Sequence, residues 1–177
     1  FSFTVPSNTF SDVDTGQTLN YAASGLPPGI SINAATRALS GIPTTAGTFA
    51  AAVTATDDGS PALSSTPASF TFTVERAALT ITADNKSNRY NEFPPALTAT
   101  YSGFVNGDSA VSLDVPLVLS TTATAQSNVG LYPITASGAS DANYTLSFVG
   151  GTLTIVEATA TVTLSNLAQT YDGAPKS

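Results

Sequence analysis

Apolar and polar residues alternate in short runs along most of the chain. Four runs place apolar side chains on one face and hydroxyl groups on the other: residues 70–74, 79–82, 144–148 and 152–155. A period of two residues is typical of strands that bury one face, and we expect these strands to pair antiparallel. A helical period is nearly absent. The pattern therefore predicts an all-β chain.

Turn residues interrupt the alternation at short intervals. Clusters of Pro, Gly, Asn and Asp punctuate the chain, as in Leu26-Pro27-Pro28-Gly29 and Asn106-Gly107-Asp108. In the first part of the chain the pattern predicts about seven strands, of which the clearest are residues 1–5, 18–23, 30–33, 37–40, 47–56 and 67–75. Many short strands between frequent turns are typical of β-sandwiches.

An internal repeat divides the rest of the chain. Shifting the sequence by 81 residues places residues 80–96 on residues 161–177 with five identities, and Tyr90 then matches Tyr171. We therefore expect one sandwich at 1–76, a repeat unit at 77–157 and the truncated start of another at 158–177. The connection Glu75-Arg76-Ala77-Ala78 holds no Gly or Pro and is short, so we expect the two units to sit end to end.

The first unit resembles the cadherin-like, immunoglobulin-like modules of large bacterial surface proteins and of dystroglycan. The resemblance rests on segments that span nearly the whole unit: residues 10–21, 25–32, 38–49 and 53–59. Within them, the Leu-Pro-Pro-Gly run that ends at Gly29 is followed by a Ser-Gly-x-Pro run that ends at Pro43. This resemblance implies an immunoglobulin-like β-sandwich.

The second unit is similar to the MBG repeats found in tandem in bacterial secreted adhesins. The similarity rests on residues spread over 79–157: Leu79-Thr80-Ile81-Thr82-Ala83, Tyr90, the run at 101–108, the runs at 119–123 and 129–134, Asn143-Tyr144-Thr145-Leu146 and the run at 150–155. Residues 160–177 look like the opening of another such repeat. The two resemblances together imply tandem immunoglobulin-like and cadherin-like sandwiches in a bacterial surface or secreted protein.

The composition removes whole classes of chemistry. The 177 residues include no Cys and no His, so cysteine nucleophiles, Ser-His-Asp triads and ordinary zinc, haem or iron–sulfur sites are excluded. Five basic residues against twelve acidic ones make nucleic acid a poor partner, and no apolar run is long enough to insert in a membrane. We expect no enzyme activity. The 28 Thr and 21 Ser residues must supply most of the solubility.

Carboxylates in two loops of the first unit are candidate calcium ligands. Asp12 and Asp14 share one loop, while Asp57 and Asp58 precede Gly59 in a turn after a long strand. Calcium takes six to eight oxygen ligands, and such loops supply several. Ala55-Thr56-Asp57 also resembles a cadherin calcium segment, although Glu75 and Arg76 stand where that family has an acidic linker. Asp and Gly favour turns for backbone reasons alone, which is the competing interpretation.

Three further features have structural interpretations. Asn106-Gly107-Asp108 and Asp141-Ala142-Asn143 are expected to serve as turns. Tyr90 and Tyr171 recur at matching repeat positions, and we expect them to be core or corner residues rather than a platform for sugars. The first strand of the truncated repeat, near Val162 and Leu164, should either fray or pair with an exposed sheet edge, of this chain or of a neighbouring molecule, and we favour pairing.

These observations favour a non-catalytic stalk or adhesion segment of a large multi-module bacterial surface or secreted protein, located outside the cell. Its expected partners are neighbouring modules of the same chain, and surface glycans or proteins. The alternative is a carbohydrate-binding accessory module of a secreted polysaccharide-degrading enzyme. That alternative needs an exposed aromatic platform, and the chain has no Trp, six Tyr and nine Phe.

Overall fold

A computed structural model of the protein describes residues 1–12, 16–165 and 173, which form two β-sandwiches in sequence. The prediction of an all-β tandem is confirmed. The first sandwich contains six described strands: β1 (Ser2–Thr4), β2 (Asn20–Ser24), β3 (Ile30–Ile32), β4 (Ala38–Gly41), β5 (Gly47–Thr56) and β6 (Ala68–Val74). These coincide with the six predicted strands to within two residues at either end.

The first sandwich packs two antiparallel sheets around a small core. One sheet has the order β1-β4-β3 and the other β2-β5-β6. Leu39 of the first sheet and Val53 of the second are each only 1% exposed and meet in the core with Val5. The alternation of residues along β5 and β6 buries one face of each strand, as the period of two predicts.

The Leu-Pro-Pro-Gly and Ser-Gly-x-Pro runs meet where β3 and β4 pair. Ile30 is opposite Gly41, and a Cβ placed on Gly41 would lie 2.0 Å from the carbonyl oxygen of Gly29. Gly41 also has a φ of 139°, which side chains of L residues rarely adopt. The two runs therefore belong together because glycine lets their backbones approach this closely.

The second sandwich contains seven described strands and one short 3₁₀ helix, Ala110–Ser112. The strands are β7 (Ala77–Ala83), β8 (Lys86–Arg89), β9 (Ala99–Ser102), β10 (Val118–Thr121), β11 (Gly130–Ser137), β12 (Tyr144–Val149) and β13 (Gly151–Val156). One sheet has the order β12-β7-β9 and the other β10-β11-β13-β8. The core forms two clusters along one face of β7: Leu79 and Ile81 belong to one and Ala83 to the other, and all three are at most 2% exposed.

Two strand pairs of this sandwich are parallel, so the expectation of antiparallel pairing throughout is wrong here. β12 runs parallel to β7, with Tyr144 opposite Ala77, and β13 runs parallel to β8, with Leu153 opposite Lys86. Alternation reports which face of a strand is buried and carries no information about the direction of its neighbour. The long chain between β8 and β12 allows the parallel arrangement, which a tight hairpin could not.

The two parallel pairs form a ladder in two parts, interrupted at residues 83–85 and 150–152, which do not pair with each other. Both keep the same offset of 67 residues, so residues 77–89 run beside residues 144–156 and the two segments change sheets at the same level. At the change, the amide of Thr152 donates to Oδ1 of Asn85 over 2.8 Å. Thirteen residues in extended conformation span about 40 Å, so this ladder runs the length of the sandwich.

Residues 157–165 of the described chain contain no strand. Val162 and Leu164 are 83% and 72% exposed, so the expected pairing of this segment with a sheet edge is not found within the chain. The matching strand of the second unit, β7, lies between β9 and β12, and no counterparts of these two neighbours lie among the described residues after 157. The remainder of the tail, 166–172 and 174–177, lies outside the described residues.

We predict that Gly151→Ala destabilises the second sandwich by about 1–3 kcal/mol, because overpacking forces the backbone apart. A Cβ at this position would lie 2.5 Å from the carbonyl oxygen of Ala83, where the ladder changes sheets. Gly150→Ala is the matched control, since its Cβ would meet Ile134 at a milder 3.3 Å. Urea unfolding measures both variants, and equal losses of stability would contradict the prediction.

Candidate functional site

The junction between the two sandwiches is short and directly bonded. β6 ends at Val74 and β7 begins at Ala77, so Glu75 and Arg76 alone connect the two. A connection of two residues restricts the relative positions of the units before any contact forms. The contacts that do form come from two loops of the second sandwich.

Asn143 is the main residue of the junction. Its side-chain Oδ1 accepts a hydrogen bond of 2.8 Å from the amide of Ala46 in the first sandwich. Its main-chain oxygen accepts one of 2.9 Å from the amide of Ala77, the first residue of β7. Its own amide donates to Oδ1 of Asp141 over 2.7 Å, which closes the turn that presents the side chain. One residue therefore binds the last hairpin of the first unit and the first strand of the second.

Tyr144, the next residue, points the other way into the core and positions a second loop. Its side chain is 2% exposed, and its hydroxyl donates to Oδ2 of Asp108 over 2.7 Å while accepting from the amide of Val105 over 3.0 Å. Burial, with a smaller contribution from Asp108, raises the pKa of Tyr144 above its usual value, so the phenol stays protonated as a donor.

The loop that Tyr144 holds also reaches the first unit. Nδ2 of Asn106 donates to the carbonyl oxygen of Pro43 over 3.3 Å. The runs at 106–108 and 141–143 are turns, as expected, but each also crosses the junction. Neither role has a sequence signal of its own.

Two of the four candidate calcium ligands lie beside the same cavity. Asp12 and Asp57 both line a cavity of about 220 Å³, together with Ser64 and Ser65. Oδ1 of Asp57 accepts hydrogen bonds from the amides of Gly59 and Leu63, at 3.0 and 2.9 Å, so half of this carboxylate stabilises its own turn. Asp14 lies outside the described residues.

Asp58 is directed to a different partner. Its two oxygens accept from the hydroxyl of Thr18 over 2.6 Å and from the amide of Thr18 over 3.0 Å. The hydroxyl, followed by the amide, lowers the pKa of Asp58 below its usual value. This carboxylate bridges the Asp57 turn to the chain entering β2, which is a structural role.

The loops that carry the candidate calcium ligands do not lie at the junction between the two described units. β5 starts at the junction with Gly47 and ends at Thr56, and its ten residues span about 33 Å. Asp57 therefore lies at the opposite end of the first sandwich. Within the described residues no three acidic side chains cluster closely enough to hold a metal ion. Calcium binding by Asp12, Asp14, Asp57 and Asp58 stays a prediction.

Tyr90 differs from its expected role. It is 45% exposed, and its amide, which donates to the carbonyl oxygen of Val156 over 2.8 Å, fixes it at the far end of the second unit. The tyrosines whose hydroxyls bind backbone are Tyr144 and Tyr132, the latter through the carbonyl oxygen of Asn128. The recurrence of Tyr90 between repeats therefore did not indicate a buried side chain. Tyr171 lies outside the described residues.

Family comparisons agree with this division of the chain. Residues 1–75 match the family described as "Putative Ig domain", and residues 79–154 match the family described as "MBG domain (YGX type)". The chain is thus a multi-module protein built of extended β-sandwich domains. Residues 1–75 form an immunoglobulin-like domain and residues 79–154 an MBG domain.

Solved structures of cadherin ectodomains are also similar. Drosophila N-cadherin EC1-3 matches 82% of this chain and 57% of its own length at 11% identity, with a TM-score of 0.29. Drosophila N-cadherin EC1-4 matches 78% and 41% at 12% identity, with a TM-score of 0.33. The chain spans about half the length of these structures. A comparison with curated proteins found no match. Over the described residues, no helix has the length and apolar character to cross a membrane.

We predict that Tyr144→Phe destabilises the second sandwich by about 1–3 kcal/mol, because it leaves the amide of Val105 and the carboxylate of Asp108 without their buried partner. Tyr132→Phe is the control, since it removes an exposed hydrogen bond to Asn128 and should cost less than about 1 kcal/mol. Denaturant unfolding followed by tyrosine fluorescence measures both. A loss in Tyr144→Phe no larger than in the control would contradict the role of the hydroxyl.

Calcium binding predicts a rise in the melting temperature of the first sandwich. At a calcium concentration ten times Kd the folded state gains about 1.4 kcal/mol, which corresponds to several degrees. Asp57→Asn should abolish the rise in melting temperature. Asp58→Asn should lower the melting temperature without calcium but leave the calcium-dependent rise intact, because both oxygens of Asp58 accept hydrogen bonds from Thr18. A melting temperature unchanged by millimolar calcium would show that these loops are turns only.

Proposed function

We propose that the chain is a non-catalytic stalk and adhesion segment of a large multi-module bacterial surface or secreted protein, acting outside the cell. The observation that carries the proposal is the parallel ladder of the second sandwich. It joins residues 77–89, by which the chain comes in from the first unit, to residues 144–156, by which it leaves. A stalk is pulled at these two points.

Parallel pairing decides how such a pull is distributed. The load acts on Ala77 at the near end of one segment and on Val156 at the far end of the other. The two segments are then drawn past each other along their length, while their hydrogen bonds lie across that direction. All the bonds of the ladder must therefore fail together, whereas a pull that separates the segments at one end breaks them one by one.

The junction supports the same role. Asn143 and Asn106 each form a hydrogen bond between the two sandwiches, which are connected by only two residues. A pull therefore passes from the first sandwich to the second without a slack linker. Side chains facing out from the ladder add to this, since the hydroxyl groups of Thr80 and Ser147 lie 3.0 Å apart across it. Calcium at the Asp57 loop would be a structural ligand in this function.

We predict that the second sandwich resists force along its axis several-fold better than force that unzips it. The chain has no cysteine, so introduced pairs provide unique handles for single-molecule pulling. Ala78→Cys with Val156→Cys loads the ladder lengthwise, and Ala78→Cys with Thr145→Cys pulls paired residues apart at one end. All three positions are exposed.

Equal unfolding forces for the two pairs of handles would contradict the proposal. Asn85→Ala should lower the lengthwise force, because it removes the acceptor of the Thr152 amide inside the ladder. Asn88→Ala is the matched control. Its side chain donates to the carbonyl oxygens of Glu92 and Phe93 in a neighbouring turn, outside the ladder, and should leave the lengthwise force unchanged.

One feature favours the alternative of a carbohydrate-binding accessory module. Asn88 holds a turn in which Phe93 is 86% exposed and Tyr90 is 45% exposed, and exposed aromatic rings can stack on sugars. Binding to a glycan array that is lost in Phe93→Ala, combined with equal forces in both pulling directions, would favour this module over the stalk.

A further inference from the structure

The end of the first sandwich that meets the second has a defined geometry. Gly47 at the start of β5 pairs with Val74 at the end of β6, and Ala46 just outside the pair donates its amide to Asn143. Ala142 and Thr145 of the second unit line a shared cavity with Ala46 and Thr48. The Asn143 turn therefore sits on the end of the β5–β6 pair.

The far end of the second sandwich repeats this geometry. Gly130 at the start of β11 pairs with Ile155 near the end of β13, as Gly47 pairs with Val74. The two glycines share a rare backbone conformation, with φ of 147° for Gly47 and 158° for Gly130. Val129 thus occupies the position of Ala46. No acceptor for its amide is found among the residues that the structure describes.

The repeated end is more apolar and more exposed than its counterpart. Val129, Leu131 and Val156 are 52%, 73% and 42% exposed, and they stand where the first unit has Ala46, Thr48 and Glu75. They line an open groove together with Ala158 and Thr159. Three large aliphatic side chains in one groove are costly to leave in water and are typical of an interaction surface.

We propose that this end of the second sandwich is a docking face for the Asp-Ala-Asn-Tyr turn of a further MBG domain. The asparagine of that turn accepts a hydrogen bond from the amide of Val129, as Asn143 does from Ala46. Its neighbours cover Val129 and Leu131, as Ala142 and Thr145 face Ala46 and Thr48. Residues 161–177 match the start of the second unit at a shift of 81, which would bring such a domain to this face. The inference stands on this geometry and holds whether or not the chain bears force.

The test repeats residues 77–157 directly after Glu157, which preserves the spacing from the end of the strand pair to the asparagine. We expect hydrogen exchange of the Val129 amide, measured by NMR, to slow about tenfold or more relative to the original chain. Asn143→Ala in the added copy should restore the original rate. The same substitution in the first copy is the matched control and should leave Val129 protected.

Three results would overturn the proposal. They are an unchanged exchange rate, protection that survives Asn143→Ala in the added copy, and protection that depends on protein concentration, which would identify a second copy of the chain as the occupant. Disulfide formation between introduced cysteines provides a second test, which does not depend on hydrogen exchange. Val129→Cys with Asn143→Cys in the added copy should form a disulfide under mild oxidation, as should Ala46→Cys with Asn143→Cys in the first copy. A disulfide in the second pair alone would also overturn the proposal.

Discussion

The parallel pairing of β7 with β12 and of β8 with β13 in the MBG domain is the constraint on which the rest of the structure depends. One offset of 67 residues is kept from Ala77 to Arg89, across two sheets. Keeping that offset requires both segments to bend at the same level, and Gly151 permits the bend because its backbone passes close to Ala83. It also places β7 in the centre of its sheet, and the buried face of that strand contributes to both core clusters of the domain.

The ladder also determines the junction. Its first pair, Ala77 and Tyr144, brings the residue before Tyr144 to the point where the chain comes in from the immunoglobulin-like domain. Asn143 can then bind both domains with one side chain and one carbonyl oxygen. Tyr144 faces the core and holds the loop from which Asn106 crosses to Pro43. Stability inside the domain and contact outside it are thus coupled through two consecutive residues.

The sequence predicted the parts of the fold that depend on local periodicity. The strands of the first domain follow from alternation between turn residues, and the Gly29 and Gly41 runs could be recognised as a pair before their contact was known. The parallel ladder could not be predicted, because alternation carries no information about the direction of a neighbouring strand that lies 67 residues away in the sequence. Asn143 was interpreted as a turn residue for the same reason, since its partner Ala46 is 97 positions distant. Tyr90 was assigned to the core or to a corner from recurrence, which does not distinguish a buried position from an exposed one.

Among the described residues, the two side-chain hydrogen bonds that cross the junction join groups without charge. An amide side chain meets a backbone amide at Ala46, and another meets a backbone carbonyl at Pro43. None of these four groups gains or loses a proton in the range where proteins stay folded, and none attracts counterions that salt would displace. Both hydrogen bonds should therefore persist in fresh water, in brine and in mildly acidic surroundings, so this part of the junction stays the same from one medium to another.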